Sequence, residues 1–202
     1  MSRKSTGAGR RLSYPRHAIG NRFDPATLAE IARRHAGPAS EERFERLAGE
    51  LADAHPGLVS RDQPWLFSNA GGAMVQMRVL YASLSEYVLI FGTAVGTSGH
   101  TGRHAVEFFD VVLDGEAWYQ REGTIERNVY RAGDAVHVRR GEAAAMHIPD
   151  RVWMLEYARG AIALSLPFGL ADTVFSTFDM TTFARTLRVY TTLTFRSFRA
   201  RQ

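Results

Sequence analysis

The sequence predicts a mainly β protein, a jelly-roll β-barrel with two helices before it and a pair of helices after it. Six strand-like segments lie between residues 105 and 157, and their spacing of roughly 8–12 residues is typical of sandwiches and small barrels. Turn-forming pairs such as Asp114-Gly115 and Arg140-Gly141 separate the segments. Helical periodicity appears before and after this region, and the A-G-D and R-R-G-E turns favour a double-stranded jelly roll.

Length and composition indicate one domain. The chain has 202 residues, 45% of them hydrophobic, which is enough for a substantial core. It contains no cysteine, so disulfides, thiolate metal ligands and thiol nucleophiles are excluded. The net charge is +4 at pH 7, and Lys4 is the only lysine, so arginine supplies the basic character. The arginines are spread along the chain with an excess at both ends, which fits an acidic lipid surface at least as well as nucleic acid.

The first part of the chain combines a polar tail with two helices. Residues 1–21 are rich in glycine and polar residues, and we predict a disordered tail followed by a single domain over 22–202. No apolar segment follows Arg10-Arg11, so neither a signal peptide nor a twin-arginine export signal is predicted, and we expect a cytoplasmic protein. The helical part covers 24–55, with Asp24 and Ser40 as the N-caps.

The barrel is predicted over about 65–165. An apolar run over 74–96 contains Gln76, Arg78 and Glu86, which makes it too polar for a transmembrane helix and typical of buried strands. The later strand-like segments are 105–113, 117–119, 128–130, 135–138, 143–148 and 152–157.

Helical periodicity returns over about 166–200. Phe183, Leu187 and Tyr190 recur at helical spacing with arginines between them, which predicts a C-terminal amphipathic helix pair. Such a pair either closes the core as a lid or lies on a membrane surface. The lid is the commoner outcome for an amphipathic helix.

A glutamate in the last strand is the first candidate for chemistry. Glu156 lies in the middle of an apolar strand with no adjacent charge. Burial raises the pKa of a carboxyl group, so such a residue is usually paired, protonated or functional. From this strand alone, a salt bridge to a distant arginine and a functional acid are both open.

A second acid comes from the segment 105–113. Strand alternation places Glu107 and Asp110 on opposite faces that are equally apolar, so the spacing does not decide which of them points into the barrel. Two carboxyl groups inside one small barrel can share a proton, and the pair then supplies a general acid and a general base.

Other motifs in the sequence do not predict a catalytic centre. His100, His104 and Glu107 have a loose metal-ligand spacing, but alternation would not hold them on one face, and Arg103 would repel a cation. We therefore predict no metal and no cofactor, and we expect both histidines to order a glycine-rich loop. The segment 92–102 lacks the Gly-Lys-Ser/Thr ending of a phosphate loop, and no Gly-x-Ser-x-Gly motif is present.

Four stretches together resemble a known family. They are N-A-G-G-A-M (69–74), A-S-L-S-E-Y-V-L-I-F-G-T-A-V-G-T-S-G-H-T-G-R-H (82–104), W-M-L-E-Y-A-R-G (153–160) and L-P-F-G-L-A-D-T-V-F-S-T (166–177). In order and spacing they are similar to the fungal sterol C-8 isomerases and the animal sigma non-opioid receptors, over about residues 21–190. The resemblance implies a cupin-like barrel around an elongated hydrophobic cavity, C-terminal helices that face a membrane, and homotrimers.

The resemblance also implies roles for individual residues. The central glutamate of the family falls on Glu156, and the aspartate that pairs with it in the receptors falls on Asp110, whereas the isomerases carry acids nearer Glu107. Glu86 and Tyr87 match a hydrogen-bonding glutamate and a cavity-lining tyrosine. The remaining ligand-binding candidates are Met77, Phe91, Met146, Met154, Ile162, Ser165, Leu166, Gly169 and Tyr190, with Tyr157 added as an aromatic ring near the acid.

The sequence also departs from the family pattern. Ala105 and Ile148 stand where large aromatic residues are found, so we expect a pocket of different shape. The N-terminal membrane helix of the eukaryotic members has no counterpart in this sequence, so we expect a soluble homologue.

These observations predict an isomerase that shifts a carbon–carbon double bond in a sterol or related terpenoid, by protonation and deprotonation through a carbocation. A terpenoid cyclase initiated by protonation on the same scaffold is one alternative. A non-catalytic, sigma-receptor-like binder of cationic amphiphiles is the other. The expected partners are a hydrophobic small molecule, further copies of the chain in a homotrimer, and a membrane surface contacted peripherally by the C-terminal helices. No nucleic-acid partner is expected.

Overall fold

The computed structural model describes residues 21–200, and across these residues the chain forms nine strands and four helices. The tail predicted over 1–21 lies, apart from Asn21, outside the described residues. The elements follow one another as α1 (Pro25–Arg34), α2 (Glu41–Ala54), β1 (Leu66–Ala70), β2 (Ala73–Ala82), β3 (Glu86–Thr93), β4 (Thr97–His100), β5 (Val106–Arg121), β6 (Asn128–Arg131), β7 (Ala135–Val138), β8 (Ala144–Ile148), β9 (Val152–Gly160), α3 (Ile162–Phe175) and α4 (Met180–Arg199).

Both N-terminal helices begin at the caps that the sequence predicts. The Asp24 carboxylate accepts the backbone N–H of Thr27 at 2.9 Å, and the Ser40 hydroxyl accepts that of Arg43 at 3.2 Å. The helices pack their apolar sides on the outer face of the sheet. This outer core includes Phe23, Leu28, Ile31, Phe44, Leu47, Leu51, Tyr81, Ile90, Phe109, Leu155 and Tyr157.

The strands form a nearly closed barrel of antiparallel pairs. Their order is β1-β2-β3-β9-β5-β8-β4, and β6 and β7 also pair with β5. The N-terminal half of β5 pairs with β9 and β7, and its C-terminal half pairs with β8 and β6. The backbone N–H of His100 donates to the carbonyl of Gly71 at 2.8 Å, which brings β4 against the β1–β2 turn.

The prediction of two strands separated by an Asp114-Gly115 turn is wrong, because β5 is one continuous strand of 16 residues. A bulge lies between Val112 and Asp114, and Gly115 adopts a φ of 82° there. The Asp114 carboxylate accepts hydrogen bonds from Arg151 and from the Ala39 backbone, both at 3.1 Å, and so fixes the bulge. The bulge changes which residues of β5 face inward after this point.

The C-terminal helices cover the barrel. Helix α3 begins at Ile162, ahead of the predicted 166, and contacts β1; α4 contacts β1 and β2. Helix α4 has the predicted amphipathic pattern, with Val189 and Leu193 among its buried residues, whereas α3 carries apolar residues on all its sides. Between residues 21 and 200, no helix is both long enough and apolar enough to cross a membrane.

The bulge in β5 makes a testable prediction about stability. We expect Gly115→Ala to lower the free energy of unfolding by about 3 kcal/mol or more, because the new Cβ would overlap the Arg151 carbonyl oxygen and the backbone is left-handed. Gly133→Ala is the matched control: its φ is 90° but no atom lies within 4 Å, so we expect about 1–2 kcal/mol. Urea unfolding measures both, and equal losses would contradict the proposed overlap.

Candidate active site in the barrel

The inner face of the barrel encloses a cavity of about 200 Å³, covered by α3 and α4. Most of its lining is apolar, so the few polar groups inside it lie in a poorly hydrated environment. The walls are formed by residues of the barrel strands and of both C-terminal helices, among them Val75, Met77, Leu89, Phe91, Phe108, Val138, Met146, Leu166, Phe168 and Leu170.

Two carboxyl groups meet in this cavity. Asp110 on β5 and Glu156 on β9 are directly opposite each other in the antiparallel register, and their side chains hydrogen-bond. Asp110 is 3% exposed, while the remaining accessible surface of Glu156 faces the cavity that it lines. The Tyr87 hydroxyl donates to Glu156 Oε1 at 2.7 Å.

Burial and mutual proximity move the pKa values of the two acids apart. Burial raises the pKa of Asp110 well above its ordinary value, and the nearby charge of Glu156 and the hydrogen bond to it raise this pKa further. Burial also raises the pKa of Glu156, but the hydrogen bonds from Tyr87 and Asp110 act in the opposite direction. Two carboxyl groups this close in an apolar cavity favour sharing one proton, and the larger upward shift of the Asp110 pKa favours the proton on Asp110.

Aromatic side chains surround the acid pair. Tyr87, Tyr119 and Tyr190 line the cavity, and the rings of Tyr87 and Tyr190 meet edge to face at 6.3 Å. Burial raises the pKa of each tyrosine, and the charge of Glu156 raises it further. The tyrosines therefore remain neutral, and aromatic faces of this kind stabilise a positive charge.

The structure brings most of the candidate residues into this one cavity. Asp110 and Glu156 lie there together with the ligand-binding candidates Met77, Tyr87, Phe91, Met146, Ser165, Leu166, Gly169 and Tyr190.

Glu107 does not join the acid pair. It lies on the outer face of β5, where Arg159 donates to its carboxylate from Nε and Nη2, both at 2.9 Å, and His137 Nε2 lies 3.6 Å away. Glu107 is therefore not placed with Asp110 and Glu156, in contrast to its candidate role as a catalytic acid. Because side chains alternate along β5, Asp110 and Glu107 cannot both face inward.

Glu86 and Tyr157 are also on the outer face and do not line the cavity, in contrast to their assignment to ligand binding, although Glu86 does accept hydrogen bonds as expected. The Tyr157 hydroxyl donates to Glu86 Oε1 at 2.7 Å, and the backbone N–H of Arg22 donates to the same carboxylate at 3.0 and 3.1 Å. These bonds tie the segment before α1 to the barrel wall. Met154 and Ile162 are buried in apolar clusters and do not line the cavity, so this assignment is corrected too.

Several cavity residues were missed by the sequence analysis. Tyr119 faces inward because the bulge at Asp114 shifts the alternation of β5, and nothing in the local sequence shows this shift. Phe108 could have been found, since it shares a face with Asp110. His100, Thr101, His104, Phe168 and Thr186 also line the cavity.

The two histidines order their loop, as predicted. His100 Nδ1 accepts the backbone N–H of Gly102 at 2.9 Å, and His104 Nε2 is 3.2 Å from the carbonyl oxygen of Thr101. Over residues 21–200, no three His, Asp or Glu side chains are grouped so that they could hold a metal ion.

Comparison with known sequences gives consistent matches over most of the chain. The family model described as "ERG2 and Sigma1 receptor like protein" matches residues 15–201. The Sigma non-opioid intracellular receptor 1 of Gallus gallus is 46% identical over 171 residues, 84% of this chain and 77% of the receptor. The receptor of the same name from Danio rerio is 41% identical over 184 residues, 89% and 83% of the two chains. The C-8 sterol isomerase ERG2 of Gibberella zeae is 38% identical over 170 residues, 83% and 72% of the two chains.

Solved structures align with part of the chain. A cupin superfamily protein from Desulfitobacterium hafniense aligns with a TM-score of 0.38 and 20% identity, over 42% of this chain and 76% of that one. An RmlC-like cupin from Shewanella frigidimarina aligns with a TM-score of 0.43 and 17% identity, over 50% and 87% of the two chains. The predicted fold class, a mainly β barrel with flanking helices, is confirmed by the strand order and the helices described above.

The shared proton predicts how stability depends on pH. The pKa of Asp110 is raised in the folded protein, so the folded protein holds a proton that the unfolded chain loses above its ordinary pKa near 4. The free energy of unfolding therefore falls as the pH rises above about 4. The fall is about 1.4 kcal/mol per pH unit for each extra proton that the folded protein holds. We expect Asp110→Asn to flatten this decline, and urea unfolding at several pH values above 4 measures it. A slope as steep as that of the wild type would contradict the assignment of the proton to Asp110.

Proposed function

The chain belongs to the family of ERG2 and Sigma1 receptor like proteins, and we propose that within this family it is a double-bond isomerase acting on a sterol or a related terpenoid. The observation that carries the proposal is the pair of Asp110 and Glu156, two carboxyl groups sharing one proton inside an apolar cavity. A buried proton donor beside a buried proton acceptor is what moving a double bond requires.

The reaction needs one proton to enter the substrate and one to leave. Asp110 transfers its proton to one carbon of the double bond, and the electron pair of that bond forms the new C–H bond. The neighbouring carbon becomes a carbocation, which the two carboxylates and the ring faces of Tyr87 and Tyr119 stabilise. An adjacent C–H then loses its proton to a carboxylate, and its electron pair forms the shifted double bond. The pair again holds one proton, and no cofactor is consumed.

The apolar lining supports such an intermediate. Water would add to a carbocation and end the reaction as an alcohol, so the walls around the acid pair must exclude it. Leu89, Phe91 and Phe108 are among the apolar residues that line the cavity with the acids. The same low polarity keeps the proton on Asp110 until an alkene is in place.

Binding a sterol requires the covering helices to move. The cavity of about 200 Å³ is smaller than the roughly 300–1,000 Å³ of ordinary ligand pockets. Helix α3 contains Pro167 and is attached to the β1–β2 turn by a 2.9 Å bond from the backbone N–H of Gly72 to Asp172. The proline removes one backbone hydrogen bond within α3, so this helix can bend more easily than a helix without proline.

The exposed surfaces of α3 and α4 suit a membrane. Leu164, Phe175 and Phe195 are 74%, 79% and 65% exposed, and Arg185 and Arg188 lie on α4. Exposed apolar residues next to arginines are typical of a surface that lies on anionic lipid. A peripheral contact of this kind would let a sterol pass from the lipid to the cavity.

A binding protein without catalysis is the second candidate. The sigma receptors named above are 41–46% identical to this chain, compared with 38% for the isomerase. A negatively charged Glu156 among aromatic rings could also hold the ammonium of a cationic amphiphile. Turnover decides between the candidates: a protein that binds such an amine and converts no sterol would support the receptor-like function. A terpenoid cyclase would use the same proton but give a product with an additional ring.

Substitution of the acids tests the isomerase. We expect Glu156→Gln and Asp110→Asn each to lower kcat by about 10²–10⁴-fold, because neither amide can cycle a proton. Glu107→Gln is the matched control on the outer face of the same barrel, and it should retain kcat within about 2-fold. The assay follows conversion of a sterol with its double bond at C-8 by mass spectrometry, with circular dichroism to verify folding. A Glu156→Gln enzyme with the wild-type rate would refute the mechanism.

Solvent isotope incorporation tests the protonation step. In heavy water we expect one deuterium at the carbon that receives the proton, because the acid pair exchanges with solvent between turnovers. Mass spectrometry and NMR locate the label in the product. A shifted double bond without deuterium would show that the proton does not come from an exchangeable side chain.

A further inference from the structure

At one end of the cavity, two histidines present opposite hydrogen-bonding groups. His100 and His104 both line the cavity, and Phe168 of α3 packs against His104 with ring centres 4.7 Å apart. The acid pair does not use either imidazole. Their own loop fixes which nitrogen of each ring carries the proton.

His104 offers a hydrogen-bond acceptor. Its Nε2 lies 3.2 Å from the carbonyl oxygen of Thr101, and a carbonyl can only accept, so Nε2 carries the proton. Burial lowers the pKa of His104, and the ring is neutral at pH 7 with an unprotonated Nδ1. Over residues 21–200 the hydrogen bond of this ring is made by Nε2, and His104 lines the cavity, so Nδ1 is the nitrogen left for a ligand.

His100 offers a donor. Its Nδ1 accepts the backbone N–H of Gly102 at 2.9 Å, so in the neutral ring the proton is on Nε2. The residue is exposed and is among those that line the cavity. One acceptor and one donor together are the complement of an alcohol, which both donates and accepts.

The distance from these rings to the acid pair suits a fused-ring substrate. The rings of His104 and Phe108 meet edge to face at 5.5 Å. Phe108 precedes Asp110 by two residues on the same strand face, roughly 6.6 Å along the strand. One aromatic ring thus separates the histidines from the acids. In a sterol, about one six-membered ring separates the 3-hydroxyl from the double bond of ring B.

We propose that His104 and His100 form a hydroxyl-recognition subsite, in which the substrate alcohol donates to His104 Nδ1 and accepts from His100 Nε2. The sterol as substrate rests on the proposed function; the preference for an alcohol rests on the two imidazoles. A ketone can accept a hydrogen bond from His100, but it has no proton to donate to Nδ1 of His104. A prenyl diphosphate would bring negative oxygens against the lone pair of Nδ1, so the subsite selects alcohols over diphosphates.

The test compares three ligands that differ at one position: a C-8 unsaturated sterol with a 3-hydroxyl, its 3-ketone and its 3-deoxy form. Equilibrium dialysis with radiolabelled sterols measures the dissociation constants of the full chain. We expect the alcohol to bind on the order of 10-fold more tightly than the ketone and the deoxy form. Equal affinities of the wild-type protein for all three sterols would overturn the proposal without any variant.

His104→Phe keeps an aromatic ring against Phe108 and Phe168 but removes the acceptor. We expect the preference for the alcohol to fall below about 2-fold, while the affinity for the deoxy sterol stays the same. His147→Phe is the matched control, because His147 is exposed and bonds to Ser98 on the outside of the barrel. A His104→Phe protein with the full preference for the alcohol would overturn the proposal.

A nitrogen-15 NMR measurement on the wild-type protein is independent of any substitution. The unprotonated Nδ1 resonance of His104 should move upfield when the alcohol binds and should not move with the ketone. An unchanged resonance with bound alcohol contradicts the subsite. Preference for the alcohol without isomerisation would refute the proposed function and leave the subsite in place. Isomerisation at equal kcat/KM for alcohol and deoxy substrates would refute the subsite and leave the proposed function in place.

Discussion

Two carboxyl groups that share a proton impose the strongest physical constraint on this protein. Asp110 and Glu156 can lie together inside an apolar barrel only because one of them is neutral, and the hydroxyl of Tyr87 supports the charge of the other. The direct pairing of β5 with β9 holds the two side chains opposite each other. A slip of one residue in this register would place the two acids on opposite faces of the sheet and abolish the site.

The outer face of the same strands carries different polar interactions. Glu107 pairs with Arg159, and Glu86 accepts hydrogen bonds from Tyr157 and from the backbone of Arg22. These acids are satisfied by fixed partners, whereas the acids inside the cavity have mainly each other. The alternation of side chains along β5 thus separates the structural acid Glu107 from Asp110 in the cavity, although the two residues are close in the sequence.

The family includes proteins named as an isomerase and proteins named as receptors, and the geometry here explains how one cavity can suit both. A carboxylate among aromatic rings stabilises a carbocation for the same electrostatic reason that it binds an ammonium. Catalysis needs in addition a proton on the partner acid and an alkene beside it. The orientation of the substrate then matters, and other polar groups that line the cavity, such as His100 and His104, can provide it.

The sequence by itself determined the fold class, the caps at Asp24 and Ser40, and the importance of Glu156, because helix periodicity, turn chemistry and an unpaired acid in an apolar strand are local properties. Its resemblance to known sequences also pointed to Asp110 and most of the cavity wall. Only the tertiary structure excluded Glu107 and Glu86 from the cavity and brought Tyr119 into it. Those outcomes depend on strand register and on the bulge at Asp114, and both are set by pairing between distant segments, so they leave no signal in the local pattern.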